Sequence, residues 1–285
     1  MSLIIEILKS VLFGIIQGIT EWLPISSTGH LILLNTVLPL KVYEDISMNT
    51  AFWNLYKVVI QLGSILAVIT LYYRRLWPFS ADLGKNEQRH IIKTWLLIII
   101  ASIPVGIIGF LLNDFVDDKL SSPLIVALAL VIYGVIFLIV EGKPMRPKFQ
   151  KTHEITPMTA LITGFFEALA LVPGTSRSGS TIIGGLLLGM TRPLAAEFSF
   201  FLAIPAMFGA SILKIVRFKG ALSIGAVLVL LAGAFTAFIV SVSIIRSLIR
   251  YLKNHNFRLF GYYRIILGII ILILYVMELI PKGLV

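Results

Sequence analysis

Apolar residues run along this chain in long blocks rather than in alternation. Nearly uncharged stretches at about 53–73, 93–112, 122–140, 194–213, 221–245 and 260–280 are separated by short polar loops. Each can carry a helix across most or all of the roughly 30 Å of a bilayer's hydrocarbon. Short strands of alternating polarity are absent from the sequence, and a lipid-exposed backbone must satisfy its own hydrogen bonds. The pattern therefore predicts an all-α polytopic membrane protein with about six transmembrane helices. Two further apolar regions, about 3–38 and 156–190, are broken by polar stretches bearing Pro and Gly, LPISSTGH in the first and VPGTSRSGST in the second. These are expected to be re-entrant helical hairpins rather than spans.

Composition strengthens the membrane reading. Of 285 residues, 58% are hydrophobic and 13% charged, and the mean hydropathy of +0.97 is far above that of soluble domains. The net charge of +10 does not point to nucleic acid, because Lys and Arg sit mostly in short loops beside the spans, where they set orientation and meet anionic headgroups. Cysteine is absent, which excludes disulfides, thiolate catalysis and Cys-ligated metal. Glu6 and Lys9 interrupt the first apolar run and no small-residue cleavage site follows it, so residues 1–16 are expected in the mature protein. Residues 74–93 and 141–155 are basic, whereas the turn between the spans they flank carries Asp114, Asp117 and Asp118. The basic loops are expected on the cytoplasmic side with Arg246, Arg250, Lys253 and Arg258. Lys214, Arg217 and Lys219 fall outside, against the rule.

The two broken regions resemble each other at an offset of 150. Gly14 matches Gly164, Gln17 matches Glu167, Ser26 matches Ser176, Thr28 matches Ser178 and Gly29 matches Gly179, without a gap. Three spans lie between the copies, so two hairpins that each enter and leave on one side enter from opposite sides. The chain reads as a single integral membrane domain over 1–285 built as an inverted-topology repeat, with repeat 1 at about 1–115 and repeat 2 at about 150–285, the broken tips meeting near the midplane.

Residues at those tips carry chemistry. Gln17 and Glu21 share a helix face, and a carboxylate at membrane depth is costly unless it is used. Pro24 is expected to end the first helix, after which Ser26, Ser27, Thr28 and Gly29 open the next. Free amides at such a helix start favour phosphate or another anion. His30 lies three residues beyond Ser27, within the same turn, so a Ser–His pair is geometrically feasible. In the second copy Ser176, Arg177, Ser178, Gly179 and Thr181 form a hydroxyl-rich start with one Arg, whose forked donors suit phosphate oxygens. Together these are the parts of a phosphate-ester or pyrophosphate site with a divalent cation on carboxylate oxygens.

At these residues the chain resembles a known family. QGITEWLPISSTGH and ALALVPGTSRSGSTIIGG look like the two signature motifs of bacterial undecaprenyl-diphosphate phosphatases of the bacitracin-resistance type, and EFSFFLAIPAMFGA and VIQLGSILAV are similar to further family segments. The resemblance covers nearly the whole chain. It implies hydrolysis of the C55 isoprenyl diphosphate to its monophosphate, recycling of the carrier lipid for cell-wall synthesis, bacitracin tolerance, and a place in the bacterial plasma membrane with the active site open outward. It also implies dependence on a divalent cation, Mg2+ or Ca2+, held by Glu21, Gln17 and Glu167. On this reading Ser27 attacks the terminal phosphorus, His30 handles its proton, and Arg177 and backbone amides hold the diphosphate, with Ser26, Thr28, Gly29, Ser176, Ser178, Gly179 and Thr181 around it. Whether Ser27, His30 or a water is the nucleophile stays open. Many family members have Glu where this chain has Gln17 and Gln where it has Glu167, which suggests that one carboxylate has moved to the other hairpin.

The strongest rival is a transporter or flippase of an anionic polyprenyl phosphate lipid, since inverted repeats with broken helices are a transporter architecture. A flippase needs no nucleophile. A lipid phosphatase of the type 2 phosphatidic acid phosphatase superfamily is disfavoured, because no histidine follows Ser176-Arg177 in its segment. Expected partners are the lipid substrate, membrane lipids and a second copy in a homodimer, with no nucleic acid.

Overall fold

The long apolar blocks fold as helices, and a hydroxyl or carboxylate cap fixes the start of several of them. The computed structural model describes residues 3–80, 82–116, 120, 122–144, 146–218 and 220–280, and among these it contains no strand. The helices are α1 (Leu3–Thr20), α2 (Ser27–Val37), α3 (Ile46–Leu71), α4 (Tyr73–Leu76), α5 (Lys85–Phe115), α6 (Pro123–Gly142), α7 (Pro157–Leu169), α8 (Arg177–Leu187), α9 (Arg192–Arg217), α10 (Ile224–Leu252) and α11 (Arg258–Val276). Asp45, Ser122, Thr156 and Ser223 each accept a bond from the backbone amide three residues on, which fixes the starts of α3, α6, α7 and α10. Pro104 in α5 and Pro205 in α9 remove one helical bond each, which packed membrane helices tolerate.

Seven of these helices are long and apolar enough to cross a bilayer: α1, α3, α5, α6, α9, α10 and α11. The protein is a multi-pass membrane protein. All six spans expected from hydropathy are present. The seventh is α1, the first arm of the region expected to be a hairpin, at about 27 Å by helical rise. Its partner α2 and both arms of the second broken region, α7 and α8, are about 16–20 Å long, too short to cross. Large apolar side chains face outward, with Ile103, Ile107 and Phe110 of α5 among the exposed ones, as a lipid-facing surface requires.

The helices pair across the two halves. α1 runs along α10, α7 along α5, α6 along α11, and α3 packs against both α9 and α10. Gly14 and Gly164 stand at equivalent points of these pairs. A methyl on Gly14 would lie 2.5 Å from the Gly233 carbonyl oxygen of α10, and one on Gly164 would collide with the Ala101 carbonyl of α5. Two helices can approach so closely only through a residue without a side chain. The 150-residue match thus recurs as a match in packing.

The ends also sort by charge. Arg74, Arg75, Lys151 and Lys253, from three separate loops or helix ends, line one cavity of about 580 Å³. The loops expected on the cytoplasmic side therefore lie at one end of the molecule. The end of α9 with Lys214 and Arg217 lies at the opposite end, near the start of α3, where Tyr43 donates to the Ala221 carbonyl at 3.0 Å. That puts it at the end away from the basic loops, as an odd number of spans between them requires. Asp117, Asp118 and Lys219 and the Asp114 side chain lie outside the described residues. Glu6 and Lys9, which interrupt the first apolar run, are buried as a pair 2.8 Å apart, and Lys9 also donates to the Pro39 carbonyl at 2.8 Å, tying α1 to the segment after α2.

Candidate active site

Both broken segments end in the same backbone move. Ser26 has φ 70° and Ser176 has φ 67°, left-handed values that cost a non-glycine residue on the order of 1–3 kcal/mol. Each Ser then caps the next helix. The Ser26 Oγ accepts from the Gly29 amide at 3.4 Å and the Ser176 Oγ from the Gly179 amide at 3.2 Å. Gly174, at φ 96°, lets the second turn run against the Val126 backbone of α6, where a methyl would clash. α1 ends at Thr20, four residues before Pro24, with only the Glu21 amide still bonded back to the Gln17 carbonyl at 3.0 Å. The break therefore begins earlier than the proline suggests and includes Glu21 itself.

The two turns touch. Ser178 lies 3.3 Å from the carbonyls of both Glu21 and Leu23. Glu21 is buried and gathers three donors. Gln17 Nε2 at 3.0 Å and the Ser27 hydroxyl at 2.8 Å share one carboxylate oxygen, and Arg177 Nη2 reaches the other at 3.4 Å. Arg177 is positioned in turn by the Ser199 carbonyl of α9 at 2.6 Å and lies over the Trp22 ring at 5.9 Å. Thr181 donates to Ser199 Oγ at 2.7 Å. The shared face expected of Gln17 and Glu21 is present, and so is the meeting of Arg177 with the first turn.

Ser27 and His30 do not pair. The Ser27 hydroxyl is engaged by Glu21, and both ring nitrogens of His30 are engaged elsewhere: Nδ1 with the Ser26 carbonyl at 2.8 Å and Nε2 with the Tyr263 hydroxyl of α11 at 2.6 Å. The reason is the cap itself, since the left-handed turn at Ser26 aims its carbonyl at the ring one helical turn on. A carbonyl only accepts, so Nδ1 carries the hydrogen, and in the neutral ring Nε2 is the acceptor of the Tyr263 proton.

Arg264 and Tyr263 are the residues that sequence reading missed. Arg264 is 0% exposed and its guanidinium joins the two turns, donating to the Pro24 carbonyl at 3.1 Å, Gly174 at 3.0 Å and Thr175 at 2.8 Å. Its Nη1 lies against Gly179, where an added methyl would sit 3.0 Å from it. The signal was available, since Arg264 is the single charge inside the 260–280 block before Glu278, and an ionisable residue inside a span marks a site. Tyr263 and Ser199 carry no such signal, because they act by position alone.

The oxygens expected to hold a cation can be tested on their partners. Gln17 Oε1 and both Glu167 carboxylate oxygens are buried without a hydrogen-bond partner, which is costly unless something binds there. Among the described residues no group of three or more His, Cys, Asp or Glu side chains is close enough to form a metal cage. These are hard oxygens, the donor type that divalent cations take, and too few to make a closed structural site.

Comparison with known proteins shows the family. Residues 10–270 match the family described as bacitracin resistance protein BacA. The chain is 46% identical over 269 residues to undecaprenyl-diphosphatase 1 of Clostridioides difficile (strain 630), covering 94% of this chain and 96% of that one. It is 47% identical over 273 residues to the undecaprenyl-diphosphatase of Desulfitobacterium hafniense (strain DSM 10664 / DCB-2), covering 95% and 96%. It is 44% identical over 277 residues to that of Enterococcus faecalis, covering 95% and 97%. With both motifs at the touching turns and nearly its whole length matched, the chain belongs to the BacA bacitracin resistance family.

Proposed function

We propose that this protein hydrolyses undecaprenyl diphosphate to undecaprenyl phosphate and inorganic phosphate, recycling the carrier lipid for cell-wall synthesis and conferring bacitracin tolerance. One contact carries the reading: the Ser27 hydroxyl donates to Glu21 at 2.8 Å while Arg177 reaches the other oxygen of that carboxylate. Nucleophile, base and anion-binding cation are thus assembled from two segments far apart in the chain.

In the proposed reaction the diphosphate enters between the two helix starts, displacing Arg177 from Glu21 onto phosphate oxygens. The amides at the starts of α2 and α8, with Ser26, Thr28, Gly29, Ser176, Ser178, Gly179 and Thr181 around them, surround its charge. Ser27 Oγ attacks the terminal phosphorus in line. The new O–P bond forms as the bond to the bridging oxygen breaks, undecaprenyl phosphate leaves with that oxygen, and Glu21 accepts the Ser27 proton. A water then cleaves the phosphoserine, releasing phosphate and returning the proton to Ser27. Glu21 replaces His30 as the first base because the hydrogen bond runs to Glu21. His30 remains the second proton carrier, one turn along α2. Mg2+ or Ca2+ bound by Glu21, Gln17 and Glu167 would neutralise charge on the diphosphate.

We place the protein in the bacterial plasma membrane with this site open to the outside and the end bearing Arg74, Arg75, Lys151 and Lys253 in the cytoplasm. The two broken segments act as re-entrant hairpins of an inverted repeat, 1–115 and 150–285. The short arms α2, α7 and α8 and the paired packing of α1 on α10 and α7 on α5 support that arrangement. A homodimer is part of the proposal. The Ser27–Glu21 contact and the names of the relatives favour hydrolysis over lipid flipping, which needs no nucleophile.

Phosphate release from undecaprenyl or farnesyl diphosphate by purified protein, with and without chelator, tests the proposal. Release that is lost in Ser27→Ala and Arg177→Ala is expected. A wild-type protein that moves polyprenyl phosphate between leaflets and releases none would overturn it.

A further inference from the structure

The reaction centre makes no use of the basic end of the molecule. There the ends of α3 and α10 enclose a cavity of about 430 Å³, with Arg246, Arg250 and Lys253 of α10 in its lining and Leu71 and Tyr72 supplied by α3. Arg246, Ile249, Arg250 and Lys253 follow the spacing i, i+3, i+4, i+7, so they share one helix face. The larger basic cavity adjoins this one, since Ile249 and Lys253 line both, and it adds Arg74 and Lys151. The usual reasons for cations near a helix end do not explain the arrangement. A helix dipole favours cations only within the last turn, and Arg246 stands six residues before Leu252, where α10 ends, about 9 Å back by helical rise. Loop charge that sets orientation need not collect on one face around one cavity. Among the described residues Arg74, Arg246, Arg250 and Lys253 pair with no carboxylate, whereas Arg75 is already committed to both oxygens of Glu197 at 2.6 Å. Like charges are thus gathered around joined cavities without a counterion.

We propose that this cavity binds an anionic phospholipid from the leaflet at the basic end, its phosphate held by Arg246, Arg250 and Lys253. Forked guanidinium donors suit phosphate oxygens, and basic pockets between membrane helices hold such headgroups. Two features select a lipid over a soluble anion. Leu71, Ile245 and Ile249 share the lining with the cations, and apolar wall of that kind serves an acyl chain and does nothing for free phosphate. Just beyond α3, Tyr73 and Trp77 stack at 6.0 Å and are 51% and 46% exposed, the amphipathic rings that mark headgroup level. α10 is also the helix against which α1 closes at Gly14 and Gly18. A lipid that ties the end of α3 to α10 therefore steadies the packing behind the first break.

The test follows Tm of purified, delipidated protein in detergent during titration with phosphatidylglycerol, with phosphatidylcholine of the same acyl chains, or with inorganic phosphate. Phosphatidylglycerol should raise Tm by several degrees and saturate, as a ligand of the folded state does, and phosphatidylcholine should not. Arg246→Gln/Arg250→Gln should weaken the apparent affinity for phosphatidylglycerol about tenfold or more, with Tm before lipid addition at the wild-type value. If that double variant is already destabilised without lipid, Arg250→Gln alone carries the same reading. Lys143→Gln/Lys148→Gln, which changes cations that line a different cavity, should keep the wild-type affinity. Equal shifts from the two lipids, no shift from either, or an equal loss of affinity in the Lys143/Lys148 variant would overturn the proposal, because bulk lipid or general surface charge would then suffice. A shift reproduced by inorganic phosphate alone would assign the cavity to a soluble anion and overturn the lipid reading.

Discussion

Ser27 donates its hydroxyl hydrogen to Glu21 at 2.8 Å, across the break that separates α1 from α2. The bond exists because α1 stops at Thr20 and leaves Glu21 in the turn, where its side chain can face the helix start that follows. If Glu21 is the base, Glu21→Gln keeps the shape and the contact but cannot accept the proton. Its kcat should fall about 10²–10⁴-fold, with Ser27→Ala at least as low and the double variant no lower than the worse single. Steady-state phosphate release checks this, and a Glu21→Gln enzyme with near wild-type kcat would return the role to His30.

Tyr263 holds His30 by its second nitrogen at 2.6 Å, with the two ring planes nearly parallel at 5°. Removing the hydroxyl frees the imidazole to turn about its remaining bond to the Ser26 carbonyl. Tyr263→Phe should lower kcat roughly 10- to 100-fold, the scale of a misplaced catalytic group, with little change in KM. In a His30→Gln background the same substitution should have no further effect. Equal losses in both backgrounds would show that Tyr263 acts elsewhere.

Arg264 makes the sharpest stability prediction. Its three bonds to the carbonyls of Pro24, Gly174 and Thr175 join the two breaks beside the contacts of Ser178 and Arg177 with the first turn, and without it those three carbonyls lose a buried partner. Arg264→Met should destabilise the fold by on the order of 3 kcal/mol or more, read as a lower Tm in detergent together with loss of activity. Arg264→Lys, with one donor group in place of a fork, should recover part of the Tm and little of the activity. A stable and active Arg264→Met protein would mean that the turns hold themselves.

The pH dependence of stability can be followed at His153, outside the spans. Its ring stacks on that of His90 at 4.0 Å, and Lys93 holds its carbonyl at 2.5 Å. Partial burial first, and then the neighbouring His90, hold the His153 pKa below its ordinary value. A depressed folded value means that the contribution is complete above the unfolded pKa of about 6.5 and is lost as pH falls through the folded value. Tm should therefore decline on acidification below about pH 6.5, and His153→Gln should flatten that part of the curve. An unchanged slope in the variant would assign the loss to another group.

Most of the architecture was legible because the signals are local. Uncharged blocks of about 20 residues mark the spans whatever their neighbours, and the match of Ser26 with Ser176 and Gly14 with Gly164 reappears as matched φ angles and matched helix contacts. What could not be read were contacts set by packing between distant helices. The Ser27–His30 pair failed because sequence spacing says that two side chains can meet and not which competitor wins. Glu21 and Tyr263 took the two partners, and Tyr263 lies 233 residues away. Pro24 does not mark the end of α1, because the turn that holds Glu21 begins three residues sooner.

The exchange between Gln17 and Glu167 is the most direct test of how the two halves share one site. Both residues are almost wholly buried, at 0% and 1% exposure, and both keep oxygens without a partner. They stand at equivalent positions of α1 and α7, each on the helix face that leads into its break. If the site needs two carboxylates and is indifferent to which hairpin supplies the second, Glu167→Gln should lose most of the phosphate release. The double variant Gln17→Glu/Glu167→Gln should regain part of it, because the total charge facing the diphosphate and its cation is restored even though its position has changed. Single Gln17→Glu adds a third carboxylate beside Glu21, where like charges repel, and should need more divalent cation for the same rate. Initial rates against Mg2+ or Ca2+ concentration for the four proteins separate these outcomes. Full activity in the single Glu167→Gln protein would show that Glu167 serves packing alone, and the charge shared between the hairpins would then reduce to Glu21.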